Sequence, residues 1–321
     1  LAFVTDTMQA QSRELYMKNP FAQSAVFNLQ HYVIGRGYSY RKTGATSEES
    51  KALQTYWAAW RVVFDWFMFE NEILKRALRD GEVIIQWFKD VPRFVEPKQL
   101  VPHRDAPWGI FTDPKDQVKI LSFNIGQLRS DGSVDATTAK KVPAEQVTYR
   151  KWPLVDMNCV RGLPPFYFYA DNLNGALRCL RNMRELTAIQ TAIALIREHP
   201  EGISGTKIEA WAERDADKSV EDPDTEKTVF QRKFQPGTML ETRNGEKLHF
   251  PAATMNAGSF IEVVSADLRA VAAGLALPEF IFTADAGRSN YASLMAAEGP
   301  AVKTFEAIQE WLGLILQECF D

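Results

Sequence analysis

The chain has 321 residues, with 37 Lys and Arg against 41 Asp and Glu for a net charge of −4, and it is 45% apolar and 12% aromatic. That composition excludes a disordered chain and supplies enough apolar surface for one elaborate domain or two to three small ones. It also excludes a surface that grips nucleic acid throughout, because a mildly acidic chain cannot neutralise many phosphates and release their counterions. Three widely spaced cysteines, Cys159, Cys179 and Cys319, form no C-x-x-C unit and suggest neither a disulfide framework nor a zinc knuckle, which fits a reducing compartment. No apolar run reaches the about 20 uncharged residues of a bilayer span. The best stretch, 260–282, contains Glu262, Asp267, Arg269 and Glu279, so no membrane contact is expected. The sequence starts at Leu1 without a basic-then-apolar leader and stops at Asp321 inside a helical pattern, which predicts trimmed ends.

In chain order, Asn19 before Pro20 is an N-cap and N1 pair, and the run to Val33 closing on Gly35 predicts a short helix with a left-handed cap. The Gly35-Arg36-Gly37 turn then leads into Tyr38 and Tyr40. From Ser47 the apolar positions Leu53, Trp57, Trp60, Phe64, Phe67, Leu74 and Leu78 recur every three or four residues until Asp80-Gly81, which predicts a long core helix or a kinked pair. Residues 82–88, 118–123 and 146–149 are short β-type runs divided by Pro, Asp and Gly. They predict a small sheet with exposed turns at Asp131-Gly132 and Val142-Pro143. Arg161-Gly162-Leu163-Pro164-Pro165 interrupts the chain, and Asp171-Asn172 suits the cap of a helix free of Gly and Pro from Ala176 to His199. At 1.5 Å per residue it would be about 40 Å long.

Between Glu209 and Glu226 eight acidic residues stand against Arg214 and Lys218, a pattern that fits a charged docking face or, more commonly, a solvated loop. Gly237 to Phe250 reads as a β-hairpin around Asn244-Gly245. Ser259-Phe260-Ile261-Glu262 is a capping box, and Phe260, Val264, Leu268, Val271 and Leu275 form the stripe of the helix it opens. On its other faces Ala266, Ala270, Ala273 and Gly274 leave room for close approach by a neighbour, from this chain or from another copy. Leu277-Pro278 ends that helix, and Asp285, Gly287 and Arg288 predict a loop up to Ser289. A last helix from Asn290 carries Ala301, Phe305, Ile308, Leu312, Ile315 and Cys319 at heptad-like spacing, and Pro300 predicts a kink near Ala296.

Motifs that carry chemistry are missing. There is no phosphate-binding loop, dinucleotide fingerprint, H-E-x-x-H or nucleophile elbow, so no ATP hydrolysis, catalytic residue or cofactor is assigned. His31, His103, His199 and His249 lie far apart without a carboxylate or Cys at ligand spacing, and surface or structural roles are the commoner reading. Asp113, Asp116, Asp131 and Asp135 fit loop turns better than a cation site. Arg178, Arg181 and Arg184 lie within about 120° of arc on the long helix, placed either to meet phosphates or a neighbour's acids or to be solvated. Trp57, Trp60, Trp66, Phe64, Phe67 and Phe69 have the spacing of core packing rather than of base stacking.

The order of elements is distinctive: a long helix, an acidic segment with a hairpin, a small-residue helix, a polar loop and a kinked helix. Asn19-Pro20 with Gly35-Arg36-Gly37, Arg161-Gly162-Leu163-Pro164, Pro236-Gly237-Thr238 with Gly245-Glu246-Lys247, Gly274 to Pro278, and Asn290-Tyr291-Ala292-Ser293 follow one another at fixed places. In these features the chain resembles the portal proteins of tailed bacteriophages, in particular the lambda-like portal family.

The resemblance implies an α+β portal-type fold and a virion protein, assembled in the host cytoplasm, that forms a ring of usually twelve subunits at one capsid vertex. A terminase motor drives double-stranded DNA through such a ring, and a head–tail adaptor docks there afterwards. By resemblance 1–170 corresponds to a β-containing wing, 171–199 to the first stem helix, 200–257 to the clip with its hairpin, 258–277 to the second stem helix, 278–289 to the tunnel loop, and 290–321 to the kinked helix returning to the wing. Ala292 stands where the family often has a second serine, and the family's helical crown has no counterpart after Asp321.

The implied sites are a DNA-proximal tunnel loop with Thr283, Asp285, Arg288, Ser289 and Asn290, a basic stem face of Arg178, Arg181 and Arg184, and a clip docking face of Asp215, Asp217, Glu221 and Asp222. Partners would be other copies, the terminase large subunit, the adaptor, the major capsid or scaffolding protein, and DNA held weakly and without regard to sequence. Small residues along 263–275 suit close packing about a ring axis, and an acidic balance suits a channel through which phosphates slide. Two other readings remain open at this point: an α+β hydrolase with an unrecognised carboxylate site, and a capsid-associated scaffold without a channel.

Overall fold

In the computed structural model of the chain, which describes residues 2–40, 46–89, 91–197, 219–221, 228–230, 238–241, 257–283 and 291–320, α1 (Ala2–Lys18) precedes the predicted cap. The Asn19 side-chain oxygen accepts from the N–H groups of Phe21 and Ala22 and starts α2 (Pro20–Val33), satisfying donors that have no partner inside the helix. Gly35 and Gly37 both take positive φ, so the turn after α2 is the left-handed one expected. Ala22, Ala25, Val26, Leu29 and Val33 of α2 are buried.

The periodic run from Ser47 is a pair of helices, α3 (Ser47–Val63) and α4 (Trp66–Asp80), separated by Asp65 in a left-handed conformation. Only the second belongs to the core. Ile73, Leu74, Ala77 and Leu78 are inaccessible, whereas Leu53 and Phe67 are exposed and Trp57, Trp60 and Phe64 are half-buried. The expectation of a core helix over the whole run is corrected, because apolar spacing marks a face without saying that anything covers it.

Two antiparallel three-stranded sheets follow. One has the order β2-β1-β6, from β1 (Glu82–Phe88), β2 (Val91–Phe94) and β6 (Val147–Lys151). The other has the order β3-β4-β5, from β3 (Ile110–Asp113), β4 (Asp116–Leu128) and β5 (Val134–Pro143). Strands β2, β3 and β5 escape the hydrophobic pattern: β2 is an edge strand containing Pro92, and β5 is largely polar. Asp131-Gly132 turns between β4 and β5 as expected, but Val142-Pro143 closes β5, and Val142 is buried rather than in an exposed turn. Gly126 sits at the β4–β5 register shift, where a Cβ would press on Val101 and Val134. Ile84, Val95, Leu100, Ile110, Phe123, Ile125, Val142, Val147 and Tyr149 form one apolar cluster across both sheets.

After α5 (Pro165–Phe168) comes α6 (Ala170–Ala192), which starts one residue before Asp171 and stops short of the expected His199. Ile193–Arg197 is instead a strand, β7, because Ile193-Ala194-Leu195-Ile196 finds backbone partners in a parallel strand, Thr238–Glu241. Two short strands lie between them, β8 (Ser219–Glu221) and β9 (Thr228–Phe230), which pair antiparallel, so the Thr238–Glu241 strand is β10. The rest of the expected hairpin around Asn244-Gly245 lies outside the described residues, as do His199 and His249.

The small-residue helix is α7 (Ala257–Gly274), which begins two residues ahead of the predicted cap at Ser259, at the good helix former Ala257. Val264, Leu268, Val271 and Leu275 are its buried side, as the spacing required. The stretch predicted as loop begins with a short helix, α8 (Glu279–Thr283), whose Ile281 and Phe282 are buried. The last helix, α9 (Tyr291–Phe320), is not divided at Pro300 and buries Ala301, Phe305, Ile308, Leu312 and Ile315. It packs on α2, α4 and β6, with Tyr32 stacked on Phe305 and Trp152 edge-on to Trp311.

The chain divides into two units, Leu1–Asn174 with Asp267–Asp321, and Gly175–Ala266. The division falls inside α6 and inside α7, so each helix contributes to both units.

Candidate functional site

In the first unit, the point where the chain leaves the sheets for α6 is held by charge. Glu82, at the start of β1, is 1% exposed and accepts from Arg161 Nη2 at 2.6 Å, the Tyr149 hydroxyl at 2.8 Å, the Gly162 N–H at 3.0 Å and Gln9 Nε2 at 3.1 Å. Arg161 is 6% exposed. Burial works to lower its pKa and the Glu82 carboxylate more than offsets that, so the guanidinium stays charged. Burial, together with the Glu82 charge, pushes the Tyr149 hydroxyl well above the ordinary range.

Beside this pair, Gly81 and Gly162 cross so closely that a Cβ on either would overlap the other segment's backbone. The interrupting motif Arg161-Gly162-Leu163-Pro164-Pro165 is therefore a buried latch. Its sequence signal was the Gly and Pro pair; the carboxylate it seeks lies 79 residues away and had no local signal.

A second network joins α1, α4 and the turn after β2. Arg13 Nε donates to Asp80 at 2.7 Å, and Glu96 accepts from Arg13 Nη2 at 2.5 Å and from Arg76 Nη1 at 2.8 Å. Burial acts to raise the Glu96 carboxyl, and the Arg76 and Arg13 charges outweigh it, holding the pKa at about 2.

Near the end of the first unit's helical chain, Tyr169 donates to the Gly274 carbonyl at 2.7 Å and Asn172 Nδ2 donates to Asp267 at 3.0 Å, so α6 and α7 pass in opposite directions there. Gly274 was expected to admit a close neighbour, and the neighbour is the Tyr169 ring of the same chain. Ala266, Ala270 and Ala273 remain exposed. Helix α8 is tied to α2, with Asn28 Nδ2 donating to the Ile281 carbonyl at 2.6 Å and Ser24 Oγ to the Phe282 carbonyl at 3.2 Å. Of the five predicted loop residues, Thr283 closes α8, its hydroxyl donating to the Glu279 carbonyl at 2.8 Å, while Asp285, Arg288, Ser289 and Asn290 lie outside the described residues. The loop expectation over 279–283 is corrected: the segment forms a helical turn that buries Ile281 and Phe282.

In the second unit, Cys179 Sγ lies 3.8 Å from the Phe260 carbonyl, which places α6 against α7 there as well. Arg178, Arg181 and Arg184 are all exposed on α6, and no ion pair is formed by them among the described residues. Glu221 belongs to β8; Asp215, Asp217 and Asp222 lie outside the described residues. The three arginines therefore share one helix.

Among the described residues no group of three or more His, Cys, Asp and Glu is placed to hold a metal ion, and no helix is long and apolar enough to cross a membrane. The Asp113 and Asp116 carboxylates instead accept from backbone N–H groups two residues on, as turn residues do.

The profile of the phage portal proteins of the lambda family matches residues 3–309, spanning both units. The chain belongs to that family. No curated protein matches it. The portal family is structural rather than catalytic.

Proposed function

We propose that this portal-family chain forms a closed ring, of about twelve copies, at one vertex of a phage capsid, and that double-stranded DNA enters and leaves through its centre. The observation that carries the reading is the family match over 3–309, together with two helices, α6 and α7, that flank residues 193–256 on either side. On this reading α6 and α7 are the stem, the segment between them is the clip that meets the terminase motor and later the head–tail adaptor, and 284–290 is the loop nearest the DNA. Wing residues 1–170 and helix α9 form the surrounding body.

Passage without capture follows from charge. Each phosphate neutralised makes binding tighter and more salt-sensitive, so a channel needs few cations. Three exposed arginines per subunit on α6, set against an overall charge of −4, meet that requirement better than a basic lining would. Phosphate contacts of this kind carry no sequence information, as a conduit for a whole genome requires. The capsid shell is the further partner, and energy for movement comes from the motor.

Negative-stain microscopy and mass photometry of the purified chain test the reading. A closed ring with a central opening wide enough for a duplex is expected; a population that stays monomeric or dimeric under capsid-assembly conditions, or forms only open assemblies, rejects it.

A further inference from the structure

Helix α3 is only thinly covered among the described residues. Of residues 48–63 only Ser50, Trp57 and Trp60 are even partly buried. Leu53, Tyr56, Val62 and Val63, with Phe67 and Met68 on the first turn of α4, are 39% to 90% exposed. The amino-terminal part of α3 is built of good helix formers, Glu48, Glu49, Lys51, Ala52, Leu53 and Gln54, whereas its last turn ends on the β-branched, indifferent formers Val62 and Val63. Its described supports are the Thr46–Glu49 capping box at one end and ring contacts of Trp57 and Trp60 with Tyr40 and Trp66. The junction to α4 runs through Asp65 at φ 51 without a side-chain cap, a conformation that costs free energy for any residue with a Cβ.

Next to the bare face lies a cleft of about 420 Å³, floored by Trp57, Trp66 and the buried Glu70, and lined also by Val62 and Phe67. The charged groups that reach it are Arg36, Arg61, Asp65 and Glu70. Glu70 is buried and accepts from the Tyr40 hydroxyl at 2.6 Å, so the exposed charges that line the cleft are the cations Arg36 and Arg61 against the single carboxylate Asp65.

The same chain carries a surface of the opposite character. The outward side of α9 shows Met295, Val302 and Leu314 at 53%, 40% and 56% exposure, interspersed with the exposed Glu298, Glu306 and Glu310. These six fall within about 160° of arc. Lys303 pairs with Glu306, while Glu298 and Glu310 form no ion pair among the described residues. Gly299 and Gly313 have no atom within 4 Å of where a Cβ would stand, leaving two flat places for close approach.

We propose that α3 and its cleft dock on the outward face of α9 of a second copy of this chain. Two different faces then meet, which is the heterologous contact that a ring repeats until it closes. The inference rests on the proposed ring and adds which surfaces close it. Half the lateral surface of α3 is about 400 Å², taking a helix about 26 Å long and about 10 Å wide. That falls short of the about 800 Å² per partner of a stand-alone interface, so the contact suits one repeated around a ring better than an isolated dimer.

The test uses the full chain with Val63→Asp, which alters a side chain 90% exposed and leaves the core intact, and separately a photo-crosslinking residue in place of Val63. Circular dichroism and the unfolding midpoint of the Val63→Asp chain should match those of the parent. In mass photometry the ring fraction is expected to fall at least tenfold, and the photoproduct should join position 63 to a peptide within 295–314 of another copy. Rings that survive Val63→Asp, or a crosslink to any other segment or to a different protein, overturn the placement and leave the ring standing. A parent chain that never forms rings overturns the ring itself, and the placement with it.

Discussion

Glu82 and Arg161 show what a single pair decides. Both are buried, and removing one partner from such a pair costs about 3–5 kcal/mol because the other is left as an uncompensated charge. Glu82→Gln is expected to lower the unfolding free energy of the first unit by about that amount in urea titration, while Glu82→Gln with Arg161→Met should lose clearly less than the two single changes added. Additive losses would mean that the pair is not a unit. Glu96 gives a prediction in pH. Its folded pKa of about 2 lies below the ordinary 4.5, so its contribution is fully present above pH 4.5 and is lost as pH falls through about 2. Thermal unfolding measured across that window should show the parent losing stability on acidification, and Glu96→Gln should be less stable at neutral pH with a flatter acid limb.

At the scale of elements, the short helix α8 separates anchored chain from the proposed DNA-proximal loop. Ile281 and Phe282 are buried, and both their carbonyls accept from α2, so 279–283 has a structural role and the proposed loop is taken from residue 284 on. Deleting 284–289 should leave rings intact by electron microscopy yet impair packaging or retention of DNA. Packaging at the parental level would reject the loop's assignment. In α3 the converse holds: its apolar spacing predicts core, and among the described residues only Trp57 and Trp60 of that stripe are partly covered.

For the whole molecule, the proposed docking of the motor depends on the segment between α6 and α7. Charge reversal at Asp215, Asp217, Glu221 and Asp222 should weaken motor binding, with the difference shrinking as salt rises, since exposed charges are screened beyond about 10 Å at 0.1 M. Binding that is unchanged at low salt would reduce that stretch to a solvated loop. The measurement separates the clip from the ring, because ring formation is read independently.

Wherever one local pattern decided an element, the sequence was sufficient. Asn19-Pro20 set the start of α2, Gly35 its end, and the stripe Val264, Leu268, Val271 and Leu275 the buried side of α7, because capping and periodicity act over a few residues. The family was legible too, from motifs in order along the chain, and the profile match over 3–309 agrees. Tertiary structure alone decided the rest. It turned Ile193–Arg197 into a strand by offering it β10, gave polar β5 a partner in β4, brought Glu82 to Arg161, and placed α4 inside while leaving α3 outside. Each of these depends on what lies across a gap of many residues, and burial, strand pairing and buried charge are properties of the pair rather than of either segment.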